Sequence, residues 1–171
     1  MIKNRKKHFI ILLGIFSLSN FFLVNSANAT YDWIQNYPDP NPLPRNMHAM
    51  AHISENKVLL FGGAGFSNDE TWLYDLETNT WNEQDCSNTP SARLNHAMAY
   101  IGDDKVILYG GWDGSLKYDT WIYDLNNNNW SFKFPITNPS PRYHLDMAYI
   151  GNNKVLLFGG NRGSGIYDDD T

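Results

Sequence analysis

The sequence has little cysteine and little charge, and both shortages exclude classes of protein. A single cysteine among 171 residues excludes a disulfide framework and a zinc site with several thiolates built from this chain alone. Only 18% of the residues are charged and 42% are hydrophobic, which excludes a disordered tail, and the length suits one domain. Thirteen glycines and eight prolines indicate a chain with many turns and much β-structure.

The charges are distributed unevenly along the chain. Four of the 13 Lys and Arg residues lie in the first seven positions, at Lys3, Arg5, Lys6 and Lys7. Without that segment, nine basic residues remain against 18 acidic ones, and the net charge falls from −5 to −9. Because a surface of this sign repels phosphate groups, nucleic-acid binding is not expected.

The first 29 residues have the three zones of an export signal. A basic stretch at residues 3–7 precedes an apolar run from Phe9 to Val24, which can enter an export channel as a helix. Ala27-Asn28-Ala29 then supplies the small residues that a signal peptidase accepts. A retained membrane anchor is the alternative, but the run is short for a bilayer and contains polar residues. We predict a signal peptide over residues 1–29 and a secreted or periplasmic mature chain that starts at Thr30, with no membrane attachment.

The rest of the chain repeats itself with a period of 48 or 49 residues. Three segments align, at residues 42–63, 90–111 and 139–160. A second block, DETWLYDLETNTW at residues 69–81, returns as YDTWIYDLNNNNW at residues 118–130. A period of this size indicates stacked supersecondary units that bury their apolar faces against their neighbours.

Each unit has the pattern of four short strands. Apolar, aromatic and β-branched runs in the second copy predict strands over residues 96–101, 105–109, 120–123 and 130–134. The connections at residues 102–104 and 126–129 are so short and polar that they fit only tight hairpin turns. No helical period is sustained after the first 29 residues, and we predict a series of four-stranded antiparallel meanders.

These features resemble the kelch repeat, which is marked by a double glycine after the second strand, a tyrosine in the third and a tryptophan in the fourth. The marks are Gly62-Gly63, Tyr74 and Trp81, then Gly110-Gly111, Tyr123 and Trp130, then Gly159-Gly160. The resemblance covers essentially all of residues 31–171. It implies an all-β, kelch-type β-propeller with about three four-stranded antiparallel blades and an incomplete ring.

The alignment predicts the domain boundaries. The segments are an orphan fourth strand and linker at 30–45, repeat 1 at 46–93, repeat 2 at 94–142 and a truncated repeat 3 at 143–171. The orphan strand, at residues 31–37, is predicted because Trp33 precedes Arg45 by the same 12 residues that separate Trp81 from Arg93. Thr171 aligns with threonines that are each followed by Trp, so we expect the encoded chain to continue with about two to five further repeats. A short chain that assembles as an oligomer is the alternative.

Residues that recur in every copy are expected to hold the blades together. The double glycines suit unusual backbone angles or close approach, and the Tyr and Trp side chains supply packing area and one hydrogen bond each. Arg45, Arg93 and Arg142 each precede a first strand. A ring of these arginines could bind an anion, but we favour bridging of neighbouring blades by the guanidinium groups. His48 and His96 align with Leu145, so they are assigned to packing and no metal site is predicted.

The connections between strands 2 and 3 and between successive blades vary most, and antiparallel order places them on one face. Variable loops on a rigid scaffold concentrate binding residues. The candidates for ligand binding are Phe66, Trp112, Asp113, Lys117, Tyr118, Arg162 and Tyr167. Exposed aromatic rings beside carboxylates and Arg suit a carbohydrate or a protein edge, although loops that only connect strands are an equal alternative.

An enzyme is the competing class, because some exported propellers of this type are copper-containing sugar oxidases or sugar-acid isomerases. Cys86 lies among polar residues without the spacing of a metal site, and no catalytic triad or phosphate-binding loop is found. Catalytic residues could still lie in further blades. We favour a non-catalytic binding scaffold and predict no cofactor.

Overall fold

The computed structural model describes residues 21–25, 32–65, 69–167 and 169. All twelve regular elements within these residues are β-strands. No helix in this part of the chain has the length and apolar character needed to cross a membrane. The chain divides into two compact units, Met1–Tyr37 and Pro38–Thr171.

The first unit contains an antiparallel hairpin. Strand β1 (Phe21–Asn25) pairs with β2 (Asp32–Asn36), and Val24 lies opposite Trp33 in the register. The sequence predicted a strand around Trp33 without a partner, whereas the structure pairs it with apolar residues of the predicted leader. Residues 1–20 and 26–31 lie outside the described part of the chain, so the signal peptide and its cleavage stay predictions.

The second unit contains three successive antiparallel sheets, here named blades 1, 2 and 3. Blade 1 comprises β3 (Ala49–Ser54), β4 (Lys57–Phe61), β5 (Thr71–Asp75) and β6 (Thr80–Gln84), paired in chain order. Blade 2 repeats this order with β7 (Ala97–Gly102), β8 (Lys105–Tyr109), β9 (Thr120–Asp124) and β10 (Asn129–Lys133). Blade 3 contains β11 (Asp146–Gly151) and β12 (Lys154–Phe158) among the described residues. The predicted unclosed propeller with four-stranded antiparallel blades is confirmed, and blades 1 and 2 have all four strands within the described residues.

Two-residue turns join the first and second strands of the blades. Asp103 and Asp104 have φ angles of 51° and 55° in blade 2, and Asn152 and Asn153 have 50° and 55° in blade 3. Two consecutive left-handed residues form the turn whose twist matches a hairpin, and Asp and Asn tolerate this conformation. The tight turn predicted at residues 102–104 is therefore confirmed.

The repeated tyrosine closes the turn between the third and fourth strands. Tyr74 donates a hydrogen bond from its hydroxyl group to Asn79 Oδ1 at 2.7 Å, and Tyr123 donates likewise to Asn128 Oδ1 at 2.7 Å. Both asparagines have positive φ angles, which suits a turn position. The Tyr74 ring also packs on Trp81, with the ring centroids 5.1 Å apart. The Tyr74 side chain thus stabilises both the turn, through its hydroxyl group, and the packing of the blade, through its ring.

The first strands β3, β7 and β11 are neighbours from blade to blade. Just before these strands, the main-chain N–H of Asn95 donates to Met47 O at 2.9 Å. The main-chain N–H of His144 donates to Asn95 O at 2.9 Å. Met47, Asn95 and His144 occupy equivalent positions and have φ angles of 57°, 55° and 57°. Main-chain hydrogen bonds therefore connect each blade to the next.

The double glycine is required by close contacts, with the main chain of the next blade at Gly110 and with its own blade at Gly111. Gly110 and Gly111 have φ angles of 71° and 99°. A Cβ atom on Gly110 would lie 2.6 Å from Arg142 O, and one on Gly111 would lie 2.8 Å from His96 Cβ. Only glycine fits without displacing these groups.

The core lies between consecutive blades. Blade 1 contributes the fully buried residues Ile53, Leu59 and Phe61, which pack against Val106, Leu108 and Trp130 of blade 2. A second cluster, which includes Tyr109, Leu145 and Met147, joins blades 2 and 3. In blade 3 the positions equivalent to Ile53, Leu59 and Phe61 are Ile150, Leu156 and Phe158, exposed by 58%, 44% and 56%. The face of blade 3 that points away from blade 2 therefore exposes apolar residues whose equivalents in blade 1 are buried.

Candidate functional site

The arginine that begins blade 2 binds groups of its own blade. Arg93 Nη1 and Nη2 donate to the two carboxylate oxygens of Asp119 at 2.6 and 2.7 Å, and Nη1 also donates to Gly110 O at 3.1 Å. Trp121 Nε1 donates to the same carboxylate at 2.8 Å. Burial acts to raise the pKa of Asp119, but the hydrogen bonds and charge of Arg93 outweigh it and lower the pKa.

Blade 1 has the same arrangement with a glutamate. Arg45 Nη2 and Trp72 Nε1 donate to Glu70 Oε2 at 2.7 and 2.8 Å. In blade 3, Arg142 donates to Gly159 O at 2.9 Å. The carboxylate position of that repeat is Asp170, which lies outside the described residues.

For Arg45 and Arg93, the expectation that the guanidinium groups bridge neighbouring blades is wrong. The carboxylate before the third strand and the carbonyl after the second both belong to the arginine's own blade, and they occupy the guanidinium fork. Contact with the preceding blade is made by the main chain instead, because Arg93 O and Arg142 O accept from the amides of Gly63 and Gly111 at 2.9 Å each. Since the Arg93 guanidinium already binds a carboxylate, it is poorly placed to take part in an anion-binding ring.

The variable loops of blades 2 and 3 meet on one face. Ser91, in the connection that enters blade 2, donates to Asp113 Oδ2 at 2.8 Å. The Arg142 amide, at the entry to blade 3, donates to Lys117 O at 3.2 Å. These contacts bring the loop after β8 together with the connections before β7 and β11.

Trp112 is the most conspicuous residue of this face. Its main chain forms bridges with Leu94 and Leu116, so its backbone is fixed, yet the residue is 41% exposed. The equivalent positions are Ala64 and Asn161, which form the corresponding bridges in the other blades. An exposed indole therefore replaces small or polar side chains at this position.

Asp113 and Lys117 are paired with each other rather than free. Lys117 Nζ lies 2.6 Å from Asp113 Oδ2, and Ser91 and Ser115 donate to the same carboxylate. Burial acts to raise the pKa of Asp113, but the hydrogen bonds from Lys117, Ser91 and Ser115 lower it to about 2. This carboxyl group is ionised at neutral pH, so it cannot act as a general acid there.

The other predicted ligand-binding residues are distributed over the same loops. Tyr118 and Tyr167 are exposed by 59% and 77%, and Arg162 is also exposed. Phe66 lies outside the described residues. The structure thus brings Trp112, Asp113 and Lys117 together on one loop, whereas Arg162 and Tyr167 belong to the loop of the next blade.

Two residues missed by the sequence analysis, Tyr143 and His144, extend the aromatic surface. The Tyr143 ring lies 6.3 Å from that of Trp112 at 55°, and the His144 ring lies 4.6 Å from that of Tyr143 at 47°. Tyr143 is the bridge partner of Asn161, as Leu94 is of Trp112. Variation at this partner position, parallel to that at Trp112, was the signal that could have found it.

The aligned histidines lie inside the blade contacts. His96 is buried, neither ring nitrogen has a hydrogen-bond partner among the described residues, and its ring lies 5.7 Å from that of Phe61. Burial, with the charges of Arg93 and His48, lowers the pKa of His96 to about 3. The described residues contain no group of three or more His, Cys, Asp or Glu side chains placed to hold a metal.

Cys86 lies at the edge of the core between blades 1 and 2. It is half-buried and packs against that cluster. Burial raises the pKa of its thiol, which disfavours the nucleophilic thiolate.

Comparison with known proteins supports the family suggested by the repeats. The family model described as the KLHDC2/KLHL20/DRC7 Kelch-repeats domain matches residues 16–160, which include both complete blades and the two described strands of blade 3. The match begins inside the predicted leader. No curated protein sequence matches the chain significantly. Kelch domains in general mediate protein interactions, which makes a protein-binding scaffold the general function of this fold. From the repeats, the blades and this match, the chain belongs to the kelch-repeat family.

Proposed function

We propose that this chain is an exported kelch-repeat scaffold that binds a protein or a carbohydrate through its variable loop face, without catalysing a reaction. The binding surface is centred on Trp112 and Tyr143 and is bordered by the Asp113–Lys117 pair. Arg162, Tyr118 and Tyr167 are further contact residues on the same loops.

The observation that carries the proposal is the exposure of Trp112 on a fixed backbone. Its main chain is held by hydrogen bonds to Leu94 at 2.9 and 3.0 Å, so the loop does not need to be ordered when a ligand binds. Large exposed aromatic side chains contribute much of the energy of binding surfaces. The equivalent Ala64 and Asn161 show that the repeat itself does not require an indole here.

The polar groups around the indole favour a neutral or weakly polar ligand. Asp113 and Lys117 form an ion pair, so their charges neutralise each other. A ligand at this border therefore meets a polar pair and not an isolated charge. A sugar ring or an extended peptide edge can stack on the indole and accept or donate hydrogen bonds at this border.

The test compares Trp112→Ala with the unchanged protein on a glycan array and on a displayed peptide library. We expect the substitution to reduce binding to the selected glycan or peptide at least tenfold, while the melting temperature changes little. Leu76→Ala is the matched control, because Leu76 is a similarly exposed apolar residue (46%) in the turn that follows β5. Equal binding by the unchanged protein and Trp112→Ala would overturn the assignment of the face.

Export is tested separately on the N-terminus. The full sequence, including residues 1–29, is expressed in a bacterium. If the leader prediction is right, the protein is recovered outside the cytoplasm with the mass of a chain that begins at Thr30. Cleavage there would also remove β1, and β2 would lose the partner described above. Recovery in the cytoplasm would contradict export, and recovery outside it with residues 1–29 attached would contradict cleavage.

A further inference from the structure

The main chain around Trp112 is already hydrogen-bonded within the protein. The Trp112 N–H donates to Leu94 O at 2.9 Å, and the Leu94 N–H donates to Trp112 O at 3.0 Å. The main-chain N–H of Lys117 donates to Gly111 O at 3.0 Å, and Lys117 O accepts from the main-chain N–H of Arg142 at 3.2 Å. A peptide that adds to a protein as a strand needs main-chain groups of this kind. Because they are occupied here, this face recognises a ligand through side chains, which disfavours an extended peptide.

The carboxylate of Asp113 is also occupied, by groups of its own loop and of the connection before it. Oδ1 accepts from the Ser115 N–H and hydroxyl group at 3.3 and 3.0 Å. Oδ2 accepts from the Ser91 hydroxyl group at 2.8 Å and lies 2.6 Å from Lys117 Nζ. Four hydrogen bonds fill the accepting capacity of a carboxylate. A cationic ligand would therefore have to displace one of these groups.

The polar groups that can reach a ligand are an ammonium and a hydroxyl group. Lys117 Nζ has three protons and directs one to Asp113, which leaves two for a ligand. The exposed Ser115 hydroxyl group donates to Asp113, and its oxygen can accept. The tip between them is open, because none of the described residues beyond the chain neighbours lies within 4 Å of a Cβ atom built on Gly114. A donor beside an acceptor suits adjacent hydroxyl groups, which both donate and accept.

We propose that the Trp112 surface binds a neutral carbohydrate, through a pyranose ring whose hydroxyl groups are equatorial. The apolar face of such a ring stacks on the exposed indole, and two adjacent hydroxyl groups bind Lys117 Nζ and the Ser115 hydroxyl group. The Asp113–Lys117 pair is neutral as a whole, so it offers an uncompensated charge neither to a uronate nor to an amino sugar. This inference rests on the proposed function and narrows its ligand to one class.

A second aromatic ring extends the surface beyond one sugar unit. The half-buried Tyr143 ring lies 6.3 Å from the Trp112 ring at 55°, so the two rings form an angled surface. A second unit of an oligosaccharide can contact Tyr143 while the first stacks on the indole. We therefore expect an oligosaccharide to bind more tightly than its monosaccharide, and Tyr143→Ala to remove most of that difference.

The test titrates three hexasaccharides with the backbone of cellulose into the intact 171-residue protein. They are neutral cellohexaose, the cationic hexamer of glucosamine and the anionic hexamer of glucuronate. We expect cellohexaose to bind at least tenfold more tightly than either charged hexamer, and Trp112→Ala to weaken its binding at least tenfold. In NMR spectra the indole N–H signal of Trp112, identified by its loss in Trp112→Phe, should shift when cellohexaose is added.

Lys117→Met tests the part played by charge. The substitution removes the ammonium donor and leaves the Asp113 carboxylate without a counter-charge. We expect it to weaken binding of cellohexaose about threefold to tenfold and to strengthen binding of the glucosamine hexamer. Lys105→Met is the matched control, because Lys105 lies 3.7 Å from Asp124 at the opposite end of β8, and it should leave all three affinities unchanged. Melting temperatures of both variants show that they fold.

The outcomes separate this inference from the proposed function. Equal affinity for the three hexamers, or a preference for a charged one, would overturn the choice of a neutral carbohydrate. If a displayed peptide binds in a way that depends on Trp112 and no hexamer does, the proposed function stands and this inference is wrong. If no peptide and no hexamer depends on Trp112 for binding, both are wrong.

Discussion

Arg93 and Asp119 form a bidentate ion pair that joins the start of blade 2 to the start of its third strand. The guanidinium side chain is fully buried and the carboxylate is 18% exposed, with contacts of 2.6 and 2.7 Å. Removing one partner of a buried pair leaves the other charge without compensation, which is more costly than the net stabilisation by the intact pair.

Asp119→Asn should therefore lower the free energy of unfolding by about 3 kcal/mol. Urea denaturation at pH 7 measures this loss, and Glu70→Gln is the matched variant at the same position of blade 1. Because the pKa of Asp119 is lowered in the fold, its contribution is present above the unfolded pKa and is lost as pH falls through the folded value. The difference between the two proteins should thus shrink in acid. A loss below about 1 kcal/mol would contradict this role for the pair.

His96 should make the protein sensitive to mild acid. Its pKa is about 3 in the fold against an ordinary value of 6.5, so the unfolded chain takes up a proton at a pH where the folded chain does not. Stability should fall as pH drops below about 6.5, with a slope that approaches about 1.4 kcal/mol per pH unit and ends near the folded pKa.

The control for this slope comes from the repeat itself, because blade 3 has Leu145 at the equivalent position. His96→Leu should fold and should remove most of the slope between pH 6 and pH 4 in urea denaturation. Leu145→His is the reciprocal variant and should steepen the slope. An unchanged slope in His96→Leu would show that other groups cause the acid sensitivity.

Trp130 should stabilise the boundary between blades 1 and 2 in two separable ways. Trp130→Ala removes both the packing and the hydrogen bond to Thr71, and it should cost about 3–5 kcal/mol. Trp130→Phe keeps most of the ring and should cost less, with the lost hydrogen bond contributing about 1 kcal/mol. In a double-mutant cycle with Thr71→Val, the Phe variant should show coupling of that size. Additive effects would exclude the hydrogen bond as a contributor.

The blades could be predicted from sequence because the same residues recur with the same spacing. Tyr74 and Tyr123, for example, stand at one position and make the same bond to a turn asparagine. A two-residue turn and an apolar run are local features, so a single copy already determines strand and hairpin, and the repetition removes errors of register.

The residues of the proposed binding face could be predicted only in part, because their arrangement depends on contacts between different blades. Trp112 was identified from its own loop, but Tyr143 lies 31 positions further on and meets it only after blade 3 packs against blade 2. The direction of Arg93 was also not determined by spacing, since both its own blade and the preceding one lie within reach of its long side chain. The pairing of β1 with β2 was missed because the apolar run was assigned to a leader.

The packing of each blade against the next also sets an order of events during synthesis. Phe61 of blade 1 is covered by residues of blade 2, such as Trp130, which the ribosome makes 69 positions later. At a synthesis rate of about 5–20 residues per second, the apolar face of blade 1 stays exposed for several seconds before blade 2 can pack on it. At every stage the nascent chain thus presents the apolar face of its newest blade. Synthesis speed and chaperone access should therefore control the yield of folded protein.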